Sequence, residues 1–231
     1  MCMVYGIIWK KLKTHNPLSF MTYSMDELIT SYGLPFHDFQ ELLKRINGVV
    51  TGSAALAAYL KQEGVDPGFV PNDIDIFIQE RGISSVCNML VRFLRKYGFR
   101  KSDEFDEEIC GVSRSYYSEM NSIVSVDSYT NEAGKEIQVI SLRPMVPRIE
   151  DYICTQFDLS ICATWWDSER FHTLNPSLTK RKLMYHIDKP LVLLVDIKVD
   201  VRIEKYLLRG FTMIDNTEVV SKKLKSGRGL R

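Results

Sequence analysis

Val49-Val50-Thr51-Gly52-Ser53-Ala54-Ala55-Leu56-Ala57-Ala58-Tyr59-Leu60 and, after a gap containing Gly64, Pro67, Gly68 and Pro71, Asn72-Asp73-Ile74-Asp75-Ile76-Phe77-Ile78 decide how this chain is read. Gly48 to Thr51 reads as a buried strand, and Ser53 to about Glu63 as a helix with Ser53 as its N-cap. Asp73 to Gln79 alternates as a strand does, sending Asp73, Asp75 and Phe77 to one side and Ile74, Ile76 and Ile78 to the other. Two carboxylates on one strand face repel, and a cation between them removes the cost. Hard oxygen ligands favour magnesium or manganese. Gly52-Ser53 stands where unpaired N–H groups and the helix dipole favour anions, and glycine lets the backbone come close to one.

Outward from that stretch the order is α-β-α-β-α, then a strand-rich centre, then helices. Pro35 opens a helix carrying Phe36, Phe39, Leu42, Leu43 and Ile46 at helical spacing, closed by Asn47-Gly48. Ser84 to Tyr97 is amphipathic and helical. Ile123 to Tyr129 and Glu136 to Leu142 flank Asn131-Glu132-Ala133-Gly134, a hairpin turn. Pro144 and Pro147 precede a short helix near Arg148 to Thr155, and Phe157 to Trp165 reads as a strand. In that strand Asp158 and Ser160 would face away from Phe157, Leu159 and Ile161, which makes Asp158 a candidate third carboxylate; Asp127 is a weaker rival. Asn175-Pro176 starts a helix, Leu191 to Ile197 is very apolar, and Val201 to Leu208 is a helix stopped by Gly210. The expected class is α/β in the broad sense (α+β), a small mixed sheet flanked by helices with a helical C-terminal part. The expected divisions are an N-terminal arm or irregular segment (1–33), a core (34–165), a helical part packed on it (166–215) and a basic tail (216–231).

The chain has 231 residues, 45% of them hydrophobic and 26% charged, with a formal net charge of +1. Such a balance gives no global pull toward nucleic acid or membrane. The five cysteines form no C-x-x-C and the four histidines have no zinc spacing, so reduced thiols are expected. The apolar stretch Val4 to Trp9 is too short for a signal peptide, and no run reaches membrane-spanning length. We therefore expect a soluble intracellular (cytoplasmic) protein with no membrane partner. The tail from Ser221 to Arg231 is basic and without acids, and a charged tail of this kind is more often simply solvated. Lys180-Arg181-Lys182 could line an acceptor groove, although a solvated face is the commoner outcome. Trp165-Trp166 could stack on a base, although tryptophans at a strand end are more often core. No serine–histidine–acid pattern and no Walker-type loop is present.

Val50-Thr51-Gly52-Ser53, then Asp73-Ile74-Asp75-Ile76, then Asp158 together resemble the hG[GS]…[DE]h[DE]h…[DE] pattern of the DNA polymerase β-like nucleotidyltransferase superfamily. Gln138-Val139-Ile140, Phe157 to Cys162 and Arg202 to Phe211 further resemble uncharacterised members from large DNA viruses, which would place the protein in a host cell. The resemblance covers roughly residues 35 to 212. It implies transfer of NMP from an NTP to an acceptor hydroxyl with release of pyrophosphate. It further implies two Mg2+ (or Mn2+) ions on Asp73, Asp75 and Asp158, with Asp158 helping to activate the acceptor. Gly52 and Ser53 would hold the β- and γ-phosphates, Lys205 the triphosphate, and Tyr206 the base. The stretch between Ser53 and Asp73 is longer than in the family's pattern, and the Gly64 to Asn72 loop absorbs the excess. The expected acceptor is an RNA 3′ end (tRNA or another), then a protein side chain as in AMP-transferring members, then a small molecule. The competing class is a degenerate module that binds nucleotide or RNA without turnover.

Overall fold

The structure is a computed structural model that describes residues 24–80, 85–102 and 122–187, and 197–215. Residues 1–23, Leu191 to Val195 and the basic tail, on which several expectations fell, lie outside the described residues. Within them run helices α1 (Met25–Ser31), α2 (Phe36–Ile46), α3 (Gly52–Gln62), α4 (Ser85–Lys96), α5 (Ile149–Gln156), α6 (Pro176–Lys180) and α7 (Ile197–Leu208). The strands are β1 (Val49–Thr51), β2 (Asp73–Gln79), β3 (Arg100–Lys101), β4 (Ile123–Thr130), β5 (Glu136–Leu142), β6 (Thr164–Trp166), β7 (Phe171–Thr173), β8 (Leu183–Met184) and β9 (Thr212–Met213). A seven-stranded sheet is ordered β3-β4-β5-β2-β1-β6-β7, and β8 and β9 form a separate parallel pair. Only β2 and β5 run parallel within the large sheet; its other pairings are antiparallel. The class is thus the expected mixed α+β.

The alternation of β2 sorts its residues between two cores. Ile74, Ile76 and Ile78 pack with Val50, Ile137 and Val139 under α1, α2 and α4. Phe77 packs on the other face with Val49, Ile140 and Trp165 against Ile149, Tyr152 and Ile153 of α5. A third cluster joins Leu56, Tyr59 and Leu60 of α3 to Leu159, Ile161, Cys162, Tyr206 and Phe211. It fastens the C-terminal helix to the rest of the fold.

Local signals act where they were expected. Pro35 precedes α2, and Asn47 ends it in the left-handed conformation (φ 48°). The β4–β5 turn has Asn131 Oδ1 accepting from Lys135 N at 2.9 Å, with Gly134 at φ +71°. Asn175 caps α6 by accepting from Leu178 N at 3.2 Å. Asn175→Ala should therefore lower stability by about 1 kcal/mol, seen as a melting temperature lower by about 2–4 °C.

Three readings change. Residues 25–33 are not an irregular arm: Met25, Leu28 and Ile29 of α1 lie in the main core, and Ser24 with Glu27 forms a capping box. Ser53 is not the N-cap of α3. The helix begins at Gly52 with Thr51 in the cap position; the Thr51 hydroxyl donates to Thr164 O at 2.9 Å and gives the first turn no side-chain cap. Phe157 to Trp165 is not one strand. The Asp158 side chain accepts from Leu159 N at 2.8 Å, the chain turns through Cys162, and only Thr164–Trp166 is extended.

Candidate functional site

A pocket of about 250 Å³ opens on the α5 side of the sheet. One end is polar, lined by Gly52, Ser53, Asp73, Asp75, Arg202 and Lys205; the other is walled by Phe77, Ile140, Tyr152 and Phe157. The polar end follows from register. Asp75 of β2 lies opposite Thr51 of β1 on one side and Gln138 of β5 on the other, while Asp73 lies opposite Glu136. Same-face neighbours on adjacent strands put Asp73, Asp75, Glu136 and Gln138 in one polar patch. Gln138 Nε2 donates to Glu136 Oε1 at 3.3 Å within it.

The approach of α3 to this patch requires a glycine. Gly52 has φ +71°, and a Cβ built on it would fall inside the van der Waals shell of Asp75 Oδ2. The start of α3 thereby comes against the carboxylate pair, with its first-turn N–H groups given no side-chain cap. Burial first, then the neighbouring Asp73, pushes the Asp75 carboxyl up to about 7, against its ordinary 3.8. Burial also raises Asp73, opposed mainly by Lys205. Two crowded carboxylates of raised pKa, hard in donor type and beside a cradle that a Cβ would fill, suit a divalent cation.

The cations come from α7. Arg202, Lys205 and Arg209 follow at spacings of three and four, so they share one side of the helix and its end. Lys205 and Arg202 favour the Asp75 anion, and Lys205 and Arg209 favour that of Asp73. Tyr206 sets the roll of the helix. Its ring is 3% exposed and edge-on to Phe69 (6.4 Å) and Phe211 (5.4 Å), with Cys162 in the same buried cluster. It borders the pocket as a core residue rather than as an open stacking face.

The structure brings Gly52, Ser53, Asp73, Asp75 and Lys205 together, with Tyr206 behind them. It does not bring Asp158. That carboxylate is 6% exposed, paired through Oδ2 with Arg202 Nη1, and is not part of the pocket lining. Among the described residues no group of three or more His, Cys, Asp or Glu side chains is placed to hold a metal ion. Asp127 points elsewhere: it lies opposite Val139, on the Ile76 side of the sheet, and pairs with Lys101 at 2.5 Å. Lys180 is bound to Glu63, and Lys182 donates to Arg209 O at 3.4 Å. Trp165 and Trp166 are both core, Trp165 stacking on His172 at 5.0 Å.

Reading along the chain missed Glu136 and Arg202. Glu136 opens a strand whose alternation with Gln138 and Ile140 is visible in the sequence, but its place beside Asp73 depends on a parallel pairing between residues 63 positions apart. For Arg202 the available signal is its spacing from Lys205 and Arg209.

A family profile described as "Gad2: Gabija anti-defense 2 family protein" matches residues 20–182. No curated protein matches the sequence. Among solved structures, a CCA-adding enzyme with CTP is 14% identical, with a TM-score of 0.49 over 88% of this chain and 46% of that one. The Thermotoga maritima CCA-adding enzyme complexed with tRNA is 16% identical, with a TM-score of 0.49 over 87% and 44%. The chain spans less than half the length of these enzymes, and each is a likeness of shape at low identity. None of these comparisons supports the expected likeness to members from large DNA viruses. Among the described residues no helix is long and apolar enough to cross a membrane.

Proposed function

The chain belongs to the Gabija anti-defense 2 family, and from that premise we propose that it is a metal-dependent nucleotidyltransferase, moving NMP from an NTP to an acceptor hydroxyl with release of pyrophosphate. One observation carries the reading: Asp73 and Asp75 share a face of β2, with Asp75 directly against Gly52 at the uncapped start of α3, in a pocket also lined by the cations of α7. Asp73 and Asp75 would hold Mg2+ or Mn2+. When bound, the metal neutralises phosphate charge and eases loss of the acceptor proton. The Gly52 and Ser53 N–H groups and the Ser53 hydroxyl would donate to the β- and γ-phosphates. Lys205 would take up the charge that develops on the leaving pyrophosphate. Phe77, Ile140 and Tyr152 line the inner wall and would limit water at the reacting atoms.

For the acceptor, an RNA 3′ end has lost part of its support, since Lys180 and Lys182 are engaged within the fold. The family's description favours a second reading, in which the acceptor hydroxyl belongs to a component of Gabija defence. Incubation with each α-labelled NTP, Mg2+ or Mn2+, total RNA and cell protein should transfer label with the wild-type chain and not with Asp73→Asn. Label on RNA or on protein decides between the acceptors. Metal-dependent NTP binding without transfer to either would leave the non-catalytic binding module, and absence of NTP binding would remove the proposal.

A further inference from the structure

Asp158 is built into the fold more firmly than a carboxylate awaiting a ligand needs to be. Ile187 N donates to its carbonyl at 2.8 Å, and Ser160 N donates to Tyr185 O at 3.0 Å. Leu159 bridges His186, so the turn is fastened to residues 185–187. Asp158 Oδ1 accepts from Leu159 N at 2.8 Å, which fixes the plane of the carboxylate. Oδ2 is then aimed at Arg202 Nη1. The carboxylate is 6% exposed and the Arg202 side chain 38%, so the pair has a buried half and a half that opens on the pocket. Beyond Arg202, Lys205 lines the same pocket.

The geometry points to Asp158 as a positioning residue that holds Arg202 against the triphosphate of the bound nucleotide, so that Arg202 and Lys205 form a two-cation phosphate clamp opposite Asp73 and Asp75. This rests on the nucleotidyltransferase reading for the identity of the ligand and changes the part that Asp158 plays in it. The physical reason is geometric. Guanidinium is a planar fork that can give one edge to a carboxylate and another to phosphate oxygens, and a fork already held at one edge loses less freedom when the second is engaged. Tyr206, buried one turn after Arg202 and edge-on to Phe69, fixes the rotation of α7 about its axis, and Arg202 and Lys205 both line the pocket.

The test uses the full chain, with inorganic tripolyphosphate without metal and a non-hydrolysable ATP analogue with Mg2+, both by calorimetry, and melting temperatures for every variant. Arg202→Gln should weaken tripolyphosphate binding about tenfold, the scale of one charge-assisted contact. Asp158→Asn should weaken it about three- to tenfold even though it removes a negative charge, and the double variant should be no weaker than Arg202→Gln alone. Tighter binding by Asp158→Asn would mean that the aspartate acts by charge alone. A lower melting temperature with unchanged affinity would mean a structural role only. Loss of the Mg2+-dependent gain for the analogue, with tripolyphosphate binding intact, would mean a metal ligand. Each of these overturns the inference. Should Asp158→Asn fail to fold, Arg202→Lys keeps the charge without the fork and should weaken tripolyphosphate binding about threefold or more; unchanged affinity overturns the inference equally. Arg202-dependent tripolyphosphate binding without label transfer would sink the transferase and leave the clamp. Transfer by a protein indifferent to Arg202→Gln would do the reverse.

Discussion

At pH 8 in EDTA, Asp75→Asn should melt on the order of 5–10 °C above the wild-type protein while losing labelled NMP transfer. The Asp75 carboxyl is raised to about 7 by burial, with Asp73 next in weight. The folded state therefore binds this proton more tightly than the unfolded chain does. Stability conferred by the protonated form is complete below the ordinary carboxylate pKa and is lost as pH rises from about 4 through about 7. A shift of about 3 pH units at 1.36 kcal/mol each gives about 4 kcal/mol. Because Asp75 borders the open pocket, about 2–4 kcal/mol is the range to expect, and a chain of this size gains about 2–4 °C per kcal/mol. Wild-type and Asp75→Asn melting curves should thus meet near pH 4 and separate to a constant gap above pH 7. Asp73→Asn should move the same way. Mg2+ with NTP should close the gap from the wild-type side only, since ligands stabilise the state they bind. A lower melting temperature for Asp75→Asn at pH 8 would identify a structural carboxylate and sink the metal-site reading.

Gly52→Ala is the second change with a large expected effect, and its cost has two parts. At φ +71° any residue with a Cβ pays about 1–2 kcal/mol. The new methyl would also displace the Asp75 carboxylate, which has β1 on one side and β5 on the other. Together these should lower stability by about 2–4 kcal/mol. They should also abolish metal-dependent binding of the ATP analogue, because the start of α3 and the carboxylates can no longer meet. Denaturant melts and calorimetry check both halves. Wild-type affinity in Gly52→Ala would show that this close approach is not used by a ligand. Ser53→Ala adds no bulk and, at this buried position, should change stability by about 1 kcal/mol or less, which separates loss of a hydroxyl from loss of the approach.

The sequence by itself determined those features whose physical cause is local. Alternation in Asp73–Gln79 placed the two aspartates opposite the isoleucine face, because strand side chains alternate whatever lies beside them. Asn175-Pro176 and Asn131 to Gly134 marked a helix start and a hairpin through short-range hydrogen bonding and backbone preference. Gly52-Ser53 marked a helix start, although Thr51 stands in the cap position and its hydroxyl is turned to Thr164 O, 113 residues away, instead of the first turn. Only the tertiary structure decided what stands beside the aspartates. The parallel register of β2 with β5 brought Glu136 and Gln138 to them, and the packing of α7 through Tyr206 set Arg202 and Lys205 on the same pocket. Asp158 is the clearest case: its alternation with apolar neighbours is real, but its own hydrogen bond to Leu159 N bends the chain, and its charge is met by Arg202, 44 residues further on. Charge pairing and strand register join residues far apart in the chain, and one-dimensional spacing carries no record of which distant group will meet a buried carboxylate.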